Sequence, residues 1–164
     1  MAYKKKVEPK ELTPEAALEK ARRFCNYQER CTSEVIQRLK EWNVTGEPAQ
    51  KILLELREET LLNDERFAKA FARGKFRIKG WGAGKIQAGL RAKNIPDQLI
   101  KNALVELPQE EQDNTLQTLL EKKNKLLRES NPQQRKLKLM NYALQKGYRG
   151  DVVRKLIDGL VEKK

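Results

Sequence analysis

Apolar residues recur along this chain in a pattern that fits one helix face and then repeats. Leu99, Ile100, Ala103, Leu104 and Leu107 follow the spacing i, i+1, i+4, i+5, i+8. Val152, Val153, Leu156, Ile157 and Leu160 follow it again, and Ala49, Ile52, Leu53 and Leu56 fill the same places earlier, with Pro48 in the first. The copies start at positions 48, 99 and 152 and align without gaps. Upstream of each, "LKEWNV" (39–44), "LRAKNI" (90–95) and "ALQKGY" (143–148) occupy equivalent positions. Each unit therefore reads as a short helix, a tight turn with Asn or Gly near its tip, and a second helix. A longer helix precedes each pair. The first shows Ala17, Leu18, Ala21, Phe24 and Cys25, and the second Phe67, Ala68 and Phe71. The third shows Leu116, Leu119, Leu120, Lys123, Leu126 and Leu127.

The punctuation agrees. Thr13-Pro14, Asn63-Asp64 and Asn131-Pro132 read as an N-cap followed by the first helical residue, because the cap oxygen accepts orphan amides and Pro lacks one. No alternating strand run or Asn-Gly hairpin competes. The expected fold is all-α: three tandem three-helix repeats stacked into an elongated array. The boundaries are 13–60, 61–108 and 109–164, after a disordered basic tail over 1–12. A repeat this short buries little alone, so neighbouring repeats should stack.

Charge narrows the function. Lys and Arg number 35 against 23 Asp and Glu, a net +12, and the excess is uneven. From Arg66 to Pro96 stand Arg66, Lys69, Arg73, Lys75, Arg77, Lys79, Lys85, Arg91 and Lys93, with no acid between them. Such a field attracts nucleic acid or an acidic protein face. Arg73, Lys75, Arg77, Lys79, Trp81, Lys85, Arg91 and Lys93 are the candidate partner-binding or DNA-binding residues. Histidine is missing, which removes the commonest general base and transition-metal ligand. Five residues separate Cys25 from Cys31, a spacing of neither a C-x-x-C motif nor a zinc knuckle, so both read as free thiols of a reducing cytosol. Asp64 and Glu65 sit at a helix start, where capping explains them. The expectation is a cytoplasmic protein that is no enzyme, with no catalytic residue, metal, cofactor or small-molecule substrate. No apolar run approaches the roughly 18 residues of a membrane span, and no apolar segment follows the basic N-terminus as in a secretory signal.

Inside the acid-free window lies "KGWGAGKIQ", residues 79–87. A Walker loop would need Gly at position 79 and Ser or Thr after Lys85; the chain has Lys79 and Ile86. The stretch instead joins the long helix of the second repeat to its next helix, where the other repeats use "ERCT" and "ESNP". Two readings stand. It is a plain turn, or its uncovered amides, flanked by Lys79 and Lys85 with Trp81 at the tip, hold a phosphate or carboxylate at a helix N-terminus. The coincidence of these features favours a partner contact.

The second repeat, "LLNDERFAKAFARGKFRIKGWGAGKIQAGLRAKNI", resembles the signature of the RecX family of recombination regulators. The matching positions are Leu62, Asp64, Phe67, Ala68, Gly80, Gly82, Ile86, Leu90 and Ile95. In the first repeat, Ser33-Glu34-Val35 with Leu39 is similar to the family's Ser-x-x-Glu-Leu joint, and the third repeat resembles it in helix pattern. The resemblance implies a regulator of homologous recombination and DNA repair within the SOS response. Its partners would be the RecA recombinase and its nucleoprotein filament, with single-stranded DNA as a further candidate. It would restrain RecA's ATP turnover and strand exchange. The alternative, resting on charge, is a basic helical protein that binds single- or double-stranded DNA directly.

Overall fold

In the computed structural model, residues 11–162 are described, and they form nine α-helices and no strand. The helices are α1 (Pro14–Tyr27), α2 (Thr32–Glu41), α3 (Gly46–Glu58), α4 (Asp64–Lys79), α5 (Ala83–Ala92), α6 (Asp97–Val105), α7 (Gln109–Leu126), α8 (Pro132–Gln145) and α9 (Gly150–Val161). They group as three three-helix repeats. The three anticipated caps form: the Thr13 hydroxyl accepts from Ala16 N–H, Asn63 Oδ1 from Arg66 N–H, and Asn131 Oδ1 from the N–H groups of Gln133 and Gln134.

One turn occurs three times. Asn43, Asn94 and Gly147 hold left-handed φ angles of 58°, 58° and 94°. After each, an N–H reaches back across the turn: Val44 to the Leu39 carbonyl, Ile95 to Leu90, and Tyr148 to Ala143. This Schellman closure satisfies carbonyls that the ending helix would otherwise orphan. Leu39, Leu90 and Ala143, which accept these bonds, are themselves almost fully buried. A side chain in the left-handed region costs roughly 1–2 kcal/mol, which Asn bears better than most residues. Asn94→Ala is therefore expected to lower stability by about 1 kcal/mol in urea titration, with Asn94→Gly at least as stable as wild type.

Compact packing divides the chain inside α4, after Phe67. In the first unit, α1, α2 and α3 pack pairwise around Ala17, Ala21, Cys25, Val35, Leu39, Ile52, Leu53 and Leu56. Leu62, from the connection to α4, closes this core. The first turn of α4 also serves it, since Asp64 Oδ1 accepts from the Thr32 N–H at the start of α2 at 2.7 Å, and Arg66 pairs with Glu29. Cys25 and Cys31 are buried and free, and burial pushes the Cys25 thiol up. Leu12 packs against this core as well; the rest of the stretch expected as a disordered tail, residues 1–10, lies outside the described residues.

The second unit holds the rest of α4 and α5–α9. Ala72, Phe76, Ile86, Leu90, Ile95, Ile100 and Ala103 are buried in the second repeat. Leu116, Leu120, Leu139, Ala143, Tyr148, Val153 and Ile157 form the core of the third. Several of the expected apolar positions are covered only in part, and one is exposed. Leu104 is half-buried, as are Leu18, Leu99, Leu119 and Leu156, and Leu126, at the last turn of α7, is 79% exposed.

Candidate partner interface

Helix α4 stops at Gly80, whose φ of +66° lets the Trp81 N–H turn back to the Lys75 carbonyl. The chain then runs directly onto the α8–α9 turn of the third repeat. Gly82 N–H donates to the Lys146 carbonyl at 2.7 Å, and Gly84 N–H to the Gly147 carbonyl at 3.0 Å. Tyr148 donates its buried hydroxyl to the Gly80 carbonyl at 2.9 Å, and Lys146 Nζ donates to the Lys79 carbonyl. Only glycine permits this approach. A Cβ on Gly82 would lie 2.7 Å from the Gly147 carbonyl, and one on Gly147 would lie 2.3 Å from the Lys85 nitrogen.

The reading of this loop as an anion cradle is therefore corrected. The amides of Gly82 and Gly84 are spent on carbonyls of the third repeat, so they do not stand free for a phosphate. Trp81 is not an exposed tip. It is half-buried between α4 and α5, edge-on to Phe71 at 6.3 Å, and lies within contact distance of a Cβ placed on Gly89.

The candidate cations divide into two groups. Arg73 joins Lys69 on Glu106, and Arg91 pairs with Asp97 at 3.1 Å. Exposed pairs of this kind add little stability, yet they lower the charge offered to a partner. Lys75 and Lys85 instead hold their ammonium groups 4.9 and 4.6 Å from the Trp81 ring centre. A cation over a ring keeps its charge while losing some of its freedom. Arg77 and Lys79 are exposed at the end of α4, and Lys93 is half-buried after α5.

Several neighbours of the site come from the third repeat and were not anticipated. Tyr142 carries Lys123 and Lys146 near its ring at 5.2 and 5.9 Å. Lys122 lies across a groove from Arg77 and Lys79. Only the turn equivalence of Asn94 and Gly147 hinted at this in the sequence: the third turn has glycine where the other two tolerate asparagine. The nine signature residues are architectural. Leu62, Phe67, Ala68, Gly80, Gly82, Ile86, Leu90 and Ile95 are buried, and Asp64 caps α2. Among the described residues, no group of three or more His, Cys, Asp or Glu could hold a metal ion, and no helix is long and apolar enough to cross a membrane.

The repeat pair that meets at these glycines is also what known proteins share with the chain. The model of the second three-helix domain of RecX matches residues 63–104, and that of the third matches 110–157. The chain belongs to the RecX family. The regulatory protein RecX of Bacillus mycoides (strain KBAB4) is 28% identical over 141 residues, which are 86% of this chain and 52% of that protein. The one from Limosilactobacillus reuteri (strain DSM 20016) is 28% identical over 138 residues, 84% of this chain and 52% of its own length. The chain thus spans about half the length of these curated relatives. The crystal structure of RecX from Lactobacillus salivarius superposes with a TM-score of 0.79 at 24% identity, over 90% of this chain and 96% of that one. A second RecX crystal structure gives 0.78 at 26% identity, over 88% and 73%. RecX proteins carry the name of regulators.

Proposed function

We propose that this chain binds the RecA recombinase and its nucleoprotein filament and restrains ATP turnover and strand exchange, acting in the cytoplasm as a binding protein without catalysis of its own. One coincidence carries this reading. The two repeats that match RecX domains are the two joined through the glycines, and they bear Lys75, Arg77, Lys79, Lys85 and Lys122 without a carboxylate partner among the described residues. A surface shared by two repeats can touch adjoining subunits of a polymer, which makes binding sensitive to filament assembly. The test is co-sedimentation with RecA filaments on single-stranded DNA, set against free RecA and naked strand at equal salt. Tighter binding to filament, with a fall in RecA ATPase, is expected. Tighter binding to naked strand would overturn the proposal.

The uncommitted cations also favour a second reading, direct binding of DNA. If three of them meet phosphates of a single strand, the log–log dependence of affinity on salt has a slope of about −2, at roughly −0.7 per contact. A flat profile would exclude that reading.

A further inference from the structure

The geometry points to a docking groove for a short acidic segment of a protein partner, one carrying an aliphatic side chain. It lies between the last turn of α4 and helix α7. Phe76, Ile78 and Leu119 supply its apolar lining, and Arg77, Lys79 and Lys122 its positive rim. The glycine junction creates it. Gly80 turns away so closely that a Cβ there would sit 3.1 Å from Leu119 Cδ1, which brings the end of α4 against α7.

Two features of the groove go unused by the fold. Ile78 is 81% exposed on a helix whose other large apolar side chains, Phe67, Phe71 and Phe76, turn inward or half inward. Arg77, Lys79 and Lys122 have no carboxylate partner among the described residues, whereas Lys69, Arg73 and Arg91 nearby do. Charge complementarity therefore selects an anionic occupant, and the exposed aliphatic selects one with an apolar side chain.

The remaining lining favours a peptide over a nucleic acid strand. Glu111 lies in the groove, where its carboxylate can accept from a peptide N–H, a donor that a phosphodiester backbone lacks. Asn114 and Thr115 offer further polar contacts. No aromatic face is presented for a base: Phe76 is buried, and Trp81 already carries Lys75 and Lys85. By contrast, the concavity between α1 and α3 in the first unit is lined by Glu15, Glu47 and Glu55, so the preference for acidic ligands belongs to the second unit. The inference rests on the proposed binding of a protein partner and deepens it.

Three dye-labelled probes test it on the full chain: a peptide of alternating Glu and Leu, a polyglutamate of equal length, and an oligothymidylate of equal charge. The Glu/Leu peptide is expected to bind tightest. Ile78→Ser should weaken it about tenfold or more, as loss of a central contact does, and the charge reversal Lys122→Glu should weaken it by setting a like charge on the rim. Both sites are exposed, so unchanged melting temperatures should confirm that the variants fold. Ile78→Ser should leave the oligothymidylate unaffected. Three results would overturn the groove: no preference for the Glu/Leu peptide, tightest binding of oligothymidylate, or indifference of the peptide to Ile78→Ser. Filament co-sedimentation of the same variants separates the two proposals. If the peptide behaves as expected while wild type fails to bind filament, the groove stands and its partner is a different protein.

Discussion

Replacing Gly147 with alanine is expected to cost about 2–5 kcal/mol, the sum of two penalties. The first is backbone strain, since Gly147 holds φ at +94° and an L side chain there pays roughly 1–2 kcal/mol. The second is steric. The new methyl would meet the Lys85 nitrogen at 2.3 Å and the Lys85 Cβ at 2.5 Å. The obstacle is mainly backbone, so no flexible side-chain end can swing away. Relief requires the α8–α9 turn to back off, and that would weaken the Gly82 and Gly84 hydrogen bonds together. Overpacking of this kind costs about 1–3 kcal/mol. Gly82→Ala carries only the steric part and should cost less. Gly74→Ala is the control: it lies inside α4 with nothing within 4 Å of a Cβ, and should stabilise by about 0.5–1 kcal/mol. Urea titration ranks the three. A Gly147→Ala protein within about 0.5 kcal/mol of wild type, the scatter expected of an ordinary surface substitution, would mean that the junction yields and does not hold the repeats.

The difference between what the sequence showed and what it hid follows from how far each interaction reaches. Helices, caps and the recurring turn depend on neighbours within a few residues, so Thr13, Asn63 and Asn131 could be placed as caps, and Asn43, Asn94 and Gly147 as turn tips. The buried aliphatic positions followed from helical spacing. How fully each is covered did not, as the half-buried Leu104 and the exposed Leu126 show, because spacing tells which face is apolar but not what packs against it. The glycine stretch was harder still. Three glycines signal a close approach without saying to what. Here the partner is a turn more than sixty residues further on, joined by the Gly82 bond to the Lys146 carbonyl. The cation field was visible as composition. Its division into paired Arg73 and Arg91 and unpaired Arg77 and Lys79 depends on where Glu106 and Asp97 fall in space. Ile78 carried no signal, since one aliphatic residue among charges is ordinary on a helix. Lys122 stood out from no pattern in the third repeat.

Removing the Tyr148 side chain is expected to cost about 3–5 kcal/mol, the usual loss for truncating a buried aromatic residue. Tyr148 is 9% exposed and belongs to the core of the third repeat, while its hydroxyl reaches the Gly80 carbonyl in the second. Tyr148→Phe separates these roles. It keeps the ring and leaves the Gly80 carbonyl without this donor, at a cost of about 1–3 kcal/mol. An alkaline titration then identifies the group. Burial, with a smaller contribution from Tyr142, pushes the Tyr148 phenol from 10.0 up to about 12. The unfolded chain therefore loses this proton first. The stability it confers is complete below pH 10 and is lost as pH rises from about 10 to about 12. At 1.36 kcal/mol per unit, the loss is about 2–3 kcal/mol. Every other side chain is common to the two proteins and cancels in the comparison. The gap between wild type and Tyr148→Phe should therefore be full at pH 8 and close toward pH 12. A gap that stayed constant across that range would mean that the phenol is not buried as described, and a gap near zero at pH 8 would mean that Tyr148 serves the junction through its ring alone.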